Sequence, residues 1–474
     1  MKTFLQQHES NIHGVLSGPD RMRFRGTQRS LSYAEGFFKY LNFLGILLIS
    51  FKAFVDGTSR KLKRSTERLA KQTPVGRVVY LSGNRDKQEV IEELIKQHSI
   101  PENCSGLIAV LSCVENCSSF ELHKNAQTKK LEVTSAFRKC LHYYLYVRDP
   151  QLGLLHIRIM TWFPLAVQIC LNGREWLARQ LDAAKISYRR LDNTFEWVSD
   201  FAAAQKLFDR QLQTDWPALL SGLLAKYHPE FITLKKDWQL FDYYWTAEQT
   251  EWATDVSFGS AEALRGLYRR LVRHATENLS SVDVLRFLQQ SLTKSGQIHG
   301  KFMGEITTET RRRTEGVRVK HRLGLNSLKM YDKFGVVLRI EVTIHDAYGL
   351  KVYRPKASDP DGKRYWQPLR RGVADLYRRC ELSQRANELY LDALSVVEVP
   401  ETLESLVTPV SKSRQEKGRC YRGLNLLSTE DRDLLKAINR GEYVIIGFRN
   451  RDLREAMFGK EPQQESEKKN RVVK

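Results

Sequence analysis

The chain has 474 residues, 42% of them hydrophobic, so it carries enough apolar material for packed cores and is not a disordered basic tail. Its 76 Lys and Arg against 55 Asp and Glu give a net charge of +21 and a pI near 9.6, an excess that attracts polyanions without dictating a fold. Seven cysteines, odd in number and without framework spacing, argue against a secreted disulfide scaffold and fit a reducing cytoplasm.

Residues 1–105 read as a mainly helical N-terminal region. It contains one basic segment, Arg21-Met22-Arg23-Phe24-Arg25-Gly26, whose alternating Arg21, Arg23 and Arg25 suit a phosphate-contacting edge. The N-terminus lacks the apolar core of a signal peptide. The most hydrophobic run, Tyr40 to Phe51, is shorter than the roughly twenty residues a bilayer requires and reads as a buried core helix, so no membrane partner is expected. A second helix ends near Gln72, Gly76 to Ser82 forms a short strand, and Lys87 to Gln97 a further helix.

Residues 106–400 read as a sheet domain. Leu107 to Val114, Cys140 to Arg148 and Leu154 to Phe163 have strand composition, with a turn at Asp149 to Gly153. An amphipathic helix follows Asn172, its candidate cap. About 195–295 is expected to be a helical insertion, with Ser260 and Ser281 as caps. Arg311 to Ile344 then joins the densest positive charge to a β-hairpin. Pairing Met330 with Val336 and Leu328 with Leu338 aligns the apolar faces and leaves Asp332-Lys333-Phe334 as the loop, with Gly335 in the left-handed region. The opposite face carries Ser327, Lys329, Tyr331, Arg339 and Glu341, beside Arg311, Arg312, Arg313, Arg318, Lys320 and Arg322. A turn-rich loop precedes a long helix over about 367–394, with Arg370, Arg371, Arg378 and Arg379 on its polar side. Residues 401–474 read as a basic linker followed by part of a winged-helix-like module, with helices around Leu434 to Ile438 and Asn450 to Phe458 and a basic tail from Gln463. The fold class expected is α+β, a mostly antiparallel sheet with a helical insertion and helical N- and C-terminal regions.

Val15 to Gly18 with Phe24 to Gly26, Leu171 to Ala178, Glu251 to Asp255, and Lys329 to Lys333 with Leu338 to Glu341 resemble one large, uncharacterised bacterial protein family over nearly the whole chain. That resemblance implies a winged-helix C-terminus, which this chain is expected to carry in truncated form. More locally, Tyr331-Asp332-Lys333 followed by Arg339-Ile340-Glu341 is similar to rolling-circle replication initiators of plasmids and phages. Those enzymes use a tyrosine nucleophile and a carboxylate or histidine metal site, which implies Tyr331 as nucleophile and Glu341 as ligand. The hairpin register argues against the pair, because it sets Glu341 opposite Leu325, about 20 Å along the strand from Tyr331.

Other chemistry is sparse. His142 and His156 fall on adjacent strands without the His-hydrophobe-His triplet of relaxases, and Cys113 and Cys117 have a zinc-compatible spacing but no second pair. Phosphate-cradling glycine loops and a nucleophilic-serine elbow are missing from the sequence. No residue set is assigned to a metal, no cofactor is required, and a divalent metal enters only if the chain is an enzyme. The leading expectation is a DNA- or RNA-binding protein of a mobile genetic element, gripping phosphate through Arg21, Arg23, Arg25, the basic hairpin face and Arg370 and Arg371. The alternatives are a tyrosine- or metal-dependent replication or recombination nuclease, with Tyr331 catalytic, and a winged-helix transcription regulator.

Overall fold

A computed structural model describes residues 1–474 except 83–84, 291–297, 299–303, 314–315, 357–358, 360–361, 398–402, 417, 440–442, 444–446 and 459–474. Among the described residues eleven strands form one sheet. These are β1 (Ile12–Thr27), β2 (Val78–Leu81), β3 (Gly106–Lys124), β4 (Leu131–Asp149), β5 (Gly153–Met160), β6 (Val167–Asn172), β9 (Tyr244–Phe258), β10 (Ile306–Arg313), β11 (Gly316–Leu323), β12 (Asn326–Lys333) and β13 (Val337–Ile344). Their spatial order is β10-β11-β12-β13-β9-β1-β6-β5-β4-β3-β2, parallel only at β2–β3. A small hairpin, β7 (Tyr188–Leu191) with β8 (Thr194–Val198), stands apart from the sheet. The architecture is α+β and mostly antiparallel, in line with the expectation.

One sheet face is mainly apolar. Phe24, Leu145, Ile157 and Ile169 meet helices 34–43, 51–71 and 216–227, and Leu328, Met330, Leu338 and Ile340 meet helices 261–277 and 376–394. The helix Ala261–Glu277 buries Leu264, Leu267, Tyr268, Leu271 and Ala275, the three-and-four spacing that puts one stripe on the sheet. Ser260 caps it, its side chain accepting from Ala263 N–H at 3.2 Å. The other face is polar and only partly covered. Helix 87–97 covers the β3–β4 end, and helices 173–183 and 201–210 with β7–β8 sit over Leu16 through Leu177, Leu181, Phe195 and Phe208.

Several elements differ from expectation. The segment Arg21 to Gly26 is not an edge of a helical region but part of β1, hydrogen-bonded between β6 and β9 at the sheet centre. The insertion expected to be helical over about 195–295 contains β9, whose run of aromatic and β-branched residues pairs on both sides. Tyr40 to Phe51 is broken at Gly45, where φ is +68°, into helix 34–43, a 3-10 turn and the start of helix 51–71. Among the described residues no single helix is long and apolar enough to cross a membrane. The helix expected from about 367 begins at Leu376, because Arg364–Pro368 pairs as a strand with Lys351–Pro355. Arg379 is buried rather than on a polar side, donating to the Ala247 carbonyl at 2.5 Å and the Ile344 carbonyl at 2.6 Å. Ser280, not Ser281, caps helix 281–287, in a capping box with Asp283.

Helices Thr429–Ile438 and Asn450–Phe458 form near the expected positions. Ser428 precedes the first of them without a side-chain cap, and Asp431 instead accepts two hydrogen bonds from Arg422, at 2.7 and 2.6 Å. The expected tail from Gln463 lies outside the described residues.

Candidate functional site

The hairpin register decides what the polar face brings together. Met330 pairs with Ile340 and Lys329 with Glu341, not Met330 with Val336 or Leu325 with Glu341. The loop is Phe334-Gly335-Val336, closed by Asp332 Oδ1 accepting from Gly335 N–H at 2.7 Å, with Gly335 at φ +78°. A shift of four residues keeps the same apolar face buried, so alternation cannot distinguish the two registers. The correction is large: Tyr331 and Glu341 touch, the tyrosine hydroxyl donating to Glu341 Oε2 at 2.6 Å.

Cross-strand partners then lay out the face in rows. One runs Arg311, Arg318, Tyr331, Arg339, Asp255, and the next runs Glu309, Lys320, Lys329, Glu341. On the far side of β9, Arg21, Arg23 and Arg25 of β1 lie opposite Asn172, Cys170 and Gln168 of β6. The β1–β9 register shifts between Pro19 and Met22, and this irregularity turns the consecutive residues Asp20 and Arg21 toward the same side. Helix 173–183 starts against it: a Cβ on Gly173 would stand 2.3 Å from the Pro19 carbonyl oxygen. Asn172 caps that helix as expected, accepting from Arg174 N–H at 2.8 Å.

At the centre, carboxylate oxygens of Asp20, Glu251 and Glu341 lie within 4.8 Å of one another. Opposite oxygens around Mg²⁺ stand about 4.2 Å apart and around Ca²⁺ about 4.6–5.2 Å, so separations of up to 4.8 Å put the trio at the outer limit of what one hard divalent cation could draw together. The buried wall of the cluster is an ion network. Arg339 grips Asp255 with two hydrogen bonds, at 2.6 and 2.8 Å, and donates to Asp20 at 3.0 Å. Arg174 stands 3.3 Å from Asp255, and Asn193 donates to both oxygens of Asp20 at 2.9 and 2.8 Å. Toward solvent stand exposed Arg21 and the partly exposed Glu251 and Lys329, with Lys329 ion-paired to the buried Glu341.

The network's carboxylates titrate very differently. Burial alone would raise Glu341, but Lys329, Arg339 and the Tyr331 hydroxyl hold it at about 2. Asp255 is likewise kept at about 2 against its burial by Arg174 and Arg339. Burial and the Glu341 charge push Glu251 up to about 7. Tyr331 is raised well above 10 by burial and by Glu341, and its side chain is 7% exposed.

Of the residues expected to grip phosphate, Arg21, Arg23, Arg25, Arg311, Arg313, Arg318, Lys320, Arg322 and Lys329 share the polar face. Arg339 does not reach solvent at all, being 0% exposed and spent on Asp20 and Asp255. Arg312 pairs with Val317 and points to the opposite side from Arg311 and Arg313. Arg370 and Arg371 stand before the helix, and Arg371 pairs with Asp346 at 3.1 Å. His142 and His156 lie opposite Met160 and Tyr146 rather than each other, and burial lowers them to about 4 and about 3. Cys113 donates to Glu115 at 3.2 Å on the strand it shares with Cys117.

Sequence reasoning found Tyr331 and Glu341 but missed Asp20, Arg174, Glu251 and Asp255. The signal for Glu251 and Asp255 was a strand in which acids alternate with Trp252, Thr254 and Val256, on the face that a surface strand would fill with neutral polar residues. No protein-family model, curated protein or solved structure matches the chain.

Proposed function

We propose that the protein processes nucleic acid, holding a polynucleotide along the open polar face and acting on a phosphodiester at Asp20, Glu251 and Glu341 with a divalent cation. The observation that carries this reading is the convergence of the three carboxylates within 4.8 Å, Glu251 partly exposed and Asp20 and Glu341 buried, amid cationic rows on the polar face. Four carboxylates, Asp20, Glu251, Asp255 and Glu341, already face four cations, Arg21, Arg174, Lys329 and Arg339. A divalent cation alone would upset that balance, whereas a cation arriving with a phosphodiester adds little net charge. A cation beside Glu251 would favour its ionised form, in which it could hold the cation or take the proton of an attacking water as that water bonds to phosphorus, the ester bond breaks and solvent protonates the leaving oxygen. Exposed Arg21 would meet the phosphoryl oxygens, while Lys329 and the Tyr331 hydroxyl orient Glu341.

The test is end-labelled DNA and RNA incubated with Mg²⁺ or Mn²⁺ and resolved by size. Cleavage is expected only with cation, and Glu251→Gln should slow it by about 10²–10⁴-fold. Cation-independent cleavage, or full activity in both Glu251→Gln and Glu341→Gln, sinks the assignment. A second reading makes Tyr331 the nucleophile, favoured by its 2.6 Å contact with Glu341. It predicts a protein–nucleic acid adduct stable to detergent in the wild type and missing in Tyr331→Phe.

A further inference from the structure

Beyond the sheet, a two-stranded hairpin pairs Lys351–Pro355 with Arg364–Pro368. Alternation fixes its faces. Val352 and Arg354 point inward, 6% exposed each, with Val352 in the core and Arg354 standing 3.8 Å from Asp375. The opposite face carries the cross-strand pairs Tyr353 with Trp366 and Pro355 with Arg364, flanked by Lys351. Tyr353 is 57% exposed and Trp366 67%, and their ring centroids are 5.6 Å apart. Two large rings bared to water on a hairpin face cost hydration free energy that burial elsewhere in the fold does not recover. On and beside the two strands the exposed charges are cationic, Lys351, Lys356, Lys363 and Arg364, while the connecting loop adds an exposed Asp359. The segment that follows, Arg371–Gly372, bonds to β9 at Ala247 and Thr246, and Thr246 is the neighbour of Arg25 on β1. The hairpin therefore springs from the end of the sheet where Arg25 lies.

We infer that this hairpin is a stacking platform for single-stranded nucleic acid, in which unpaired bases lie on Tyr353 and Trp366 while Lys351 and Arg364 meet the flanking phosphates. The inference rests on the proposed class of substrate and narrows it to an unpaired strand. Every base has a ring face, so stacking tolerates any sequence, and the cations supply the attraction that a purely apolar partner would not use. A duplex hides its ring faces and gains only the phosphate contacts. DNA and RNA offer the same stacking faces.

The test is fluorescence anisotropy in EDTA, where no cation-dependent reaction proceeds, with labelled oligothymidylate, oligouridylate and a duplex of equal length. Tyr353→Ala with Trp366→Ala should weaken single-strand binding roughly tenfold or more and change duplex binding little. Tyr353→Phe with Trp366→Phe keeps the ring faces and should restore most of the affinity, which separates stacking from misfolding. Equal losses on strand and duplex, unchanged strand binding, or no strand binding by the wild type overturns the platform. Loss on one of the two oligonucleotides alone assigns the platform to that nucleic acid. Binding that depends on both rings without any cleavage under Mg²⁺ or Mn²⁺ overturns the catalytic proposal alone.

Discussion

Glu251 is the carboxylate whose ionisation the fold resists. Its ordinary value is 4.5 and burial beside Glu341 raises it to about 7, so between those pH values the folded chain holds a proton that the unfolded chain has released. Stability contributed by this site is therefore highest below about pH 4.5, declines as pH rises through the window, and levels off above 7. The effect is on the order of a few kcal/mol at most. Glu251→Gln should flatten this part of the melting-temperature profile and gain on the wild type progressively from pH 5 to pH 8. Parallel profiles would mean that Glu251 is ionised throughout. If the trio holds a cation, Mg²⁺ or Mn²⁺ should raise the wild-type midpoint more at pH 8 than at pH 5, since the cation replaces the proton. Tyr331 and Glu341 were legible because a short motif singles them out, whereas Asp20 was not, since its direction depends on a strand irregularity that composition does not announce. Arg339 misled for the same reason. In sequence it is one of many arginines, and only the arrival of Asp255 and Asp20 from two other strands makes it an interior counter-ion.

At the level of elements, pattern and register carried unequal information. Strand β13 is buried along its whole length, so its period of two marks the strand but not its alignment, and the loop Phe334 to Val336 decided the pairing. That alignment sorts the arginines of β10 by side. Arg311 and Arg313 belong to the face of Arg318, while Arg312 points away. Changing Arg311 and Arg313 together to Ala should reduce the negative log–log salt slope of single-strand binding by about 1.4, at roughly 0.7 per phosphate contact. Arg312→Ala should leave the slope near the wild-type value. Equal effects from all three arginines would mean that the polyanion does not follow the polar face. The β7–β8 hairpin shows the complementary limit of sequence reasoning: its turn residues Asp192 and Asn193 look like ordinary loop polarity, yet they bind Lys333 and Asp20 and roof the site.

For the molecule as a whole, β1 governs cohesion. It fills the slot between β6 and β9, and Met22 and Phe24 enter the main core from it. A boundary near residue 105 follows the composition but cuts across the hydrogen bonding, because composition reports local preference and this strand's partners are remote. A fragment of residues 106–474 loses β1 and β2 and should accordingly expose three newly open strand edges, on β6, β9 and β3, aggregate on expression and lack the single cooperative melting transition expected of the full chain. A soluble monomeric fragment with a sharp melt would refute the dependence. The same placement sets a clock on synthesis. Thr27 of β1 bonds to Tyr244, 217 residues further on. At roughly 5–20 residues per second the ribosome takes about 10–40 s to travel between them. Through that interval the first strand made hangs from the growing chain with one side unmatched. Slower translation of the intervening stretch lengthens that vulnerable wait, which gives codon usage upstream of residue 244 leverage over yield.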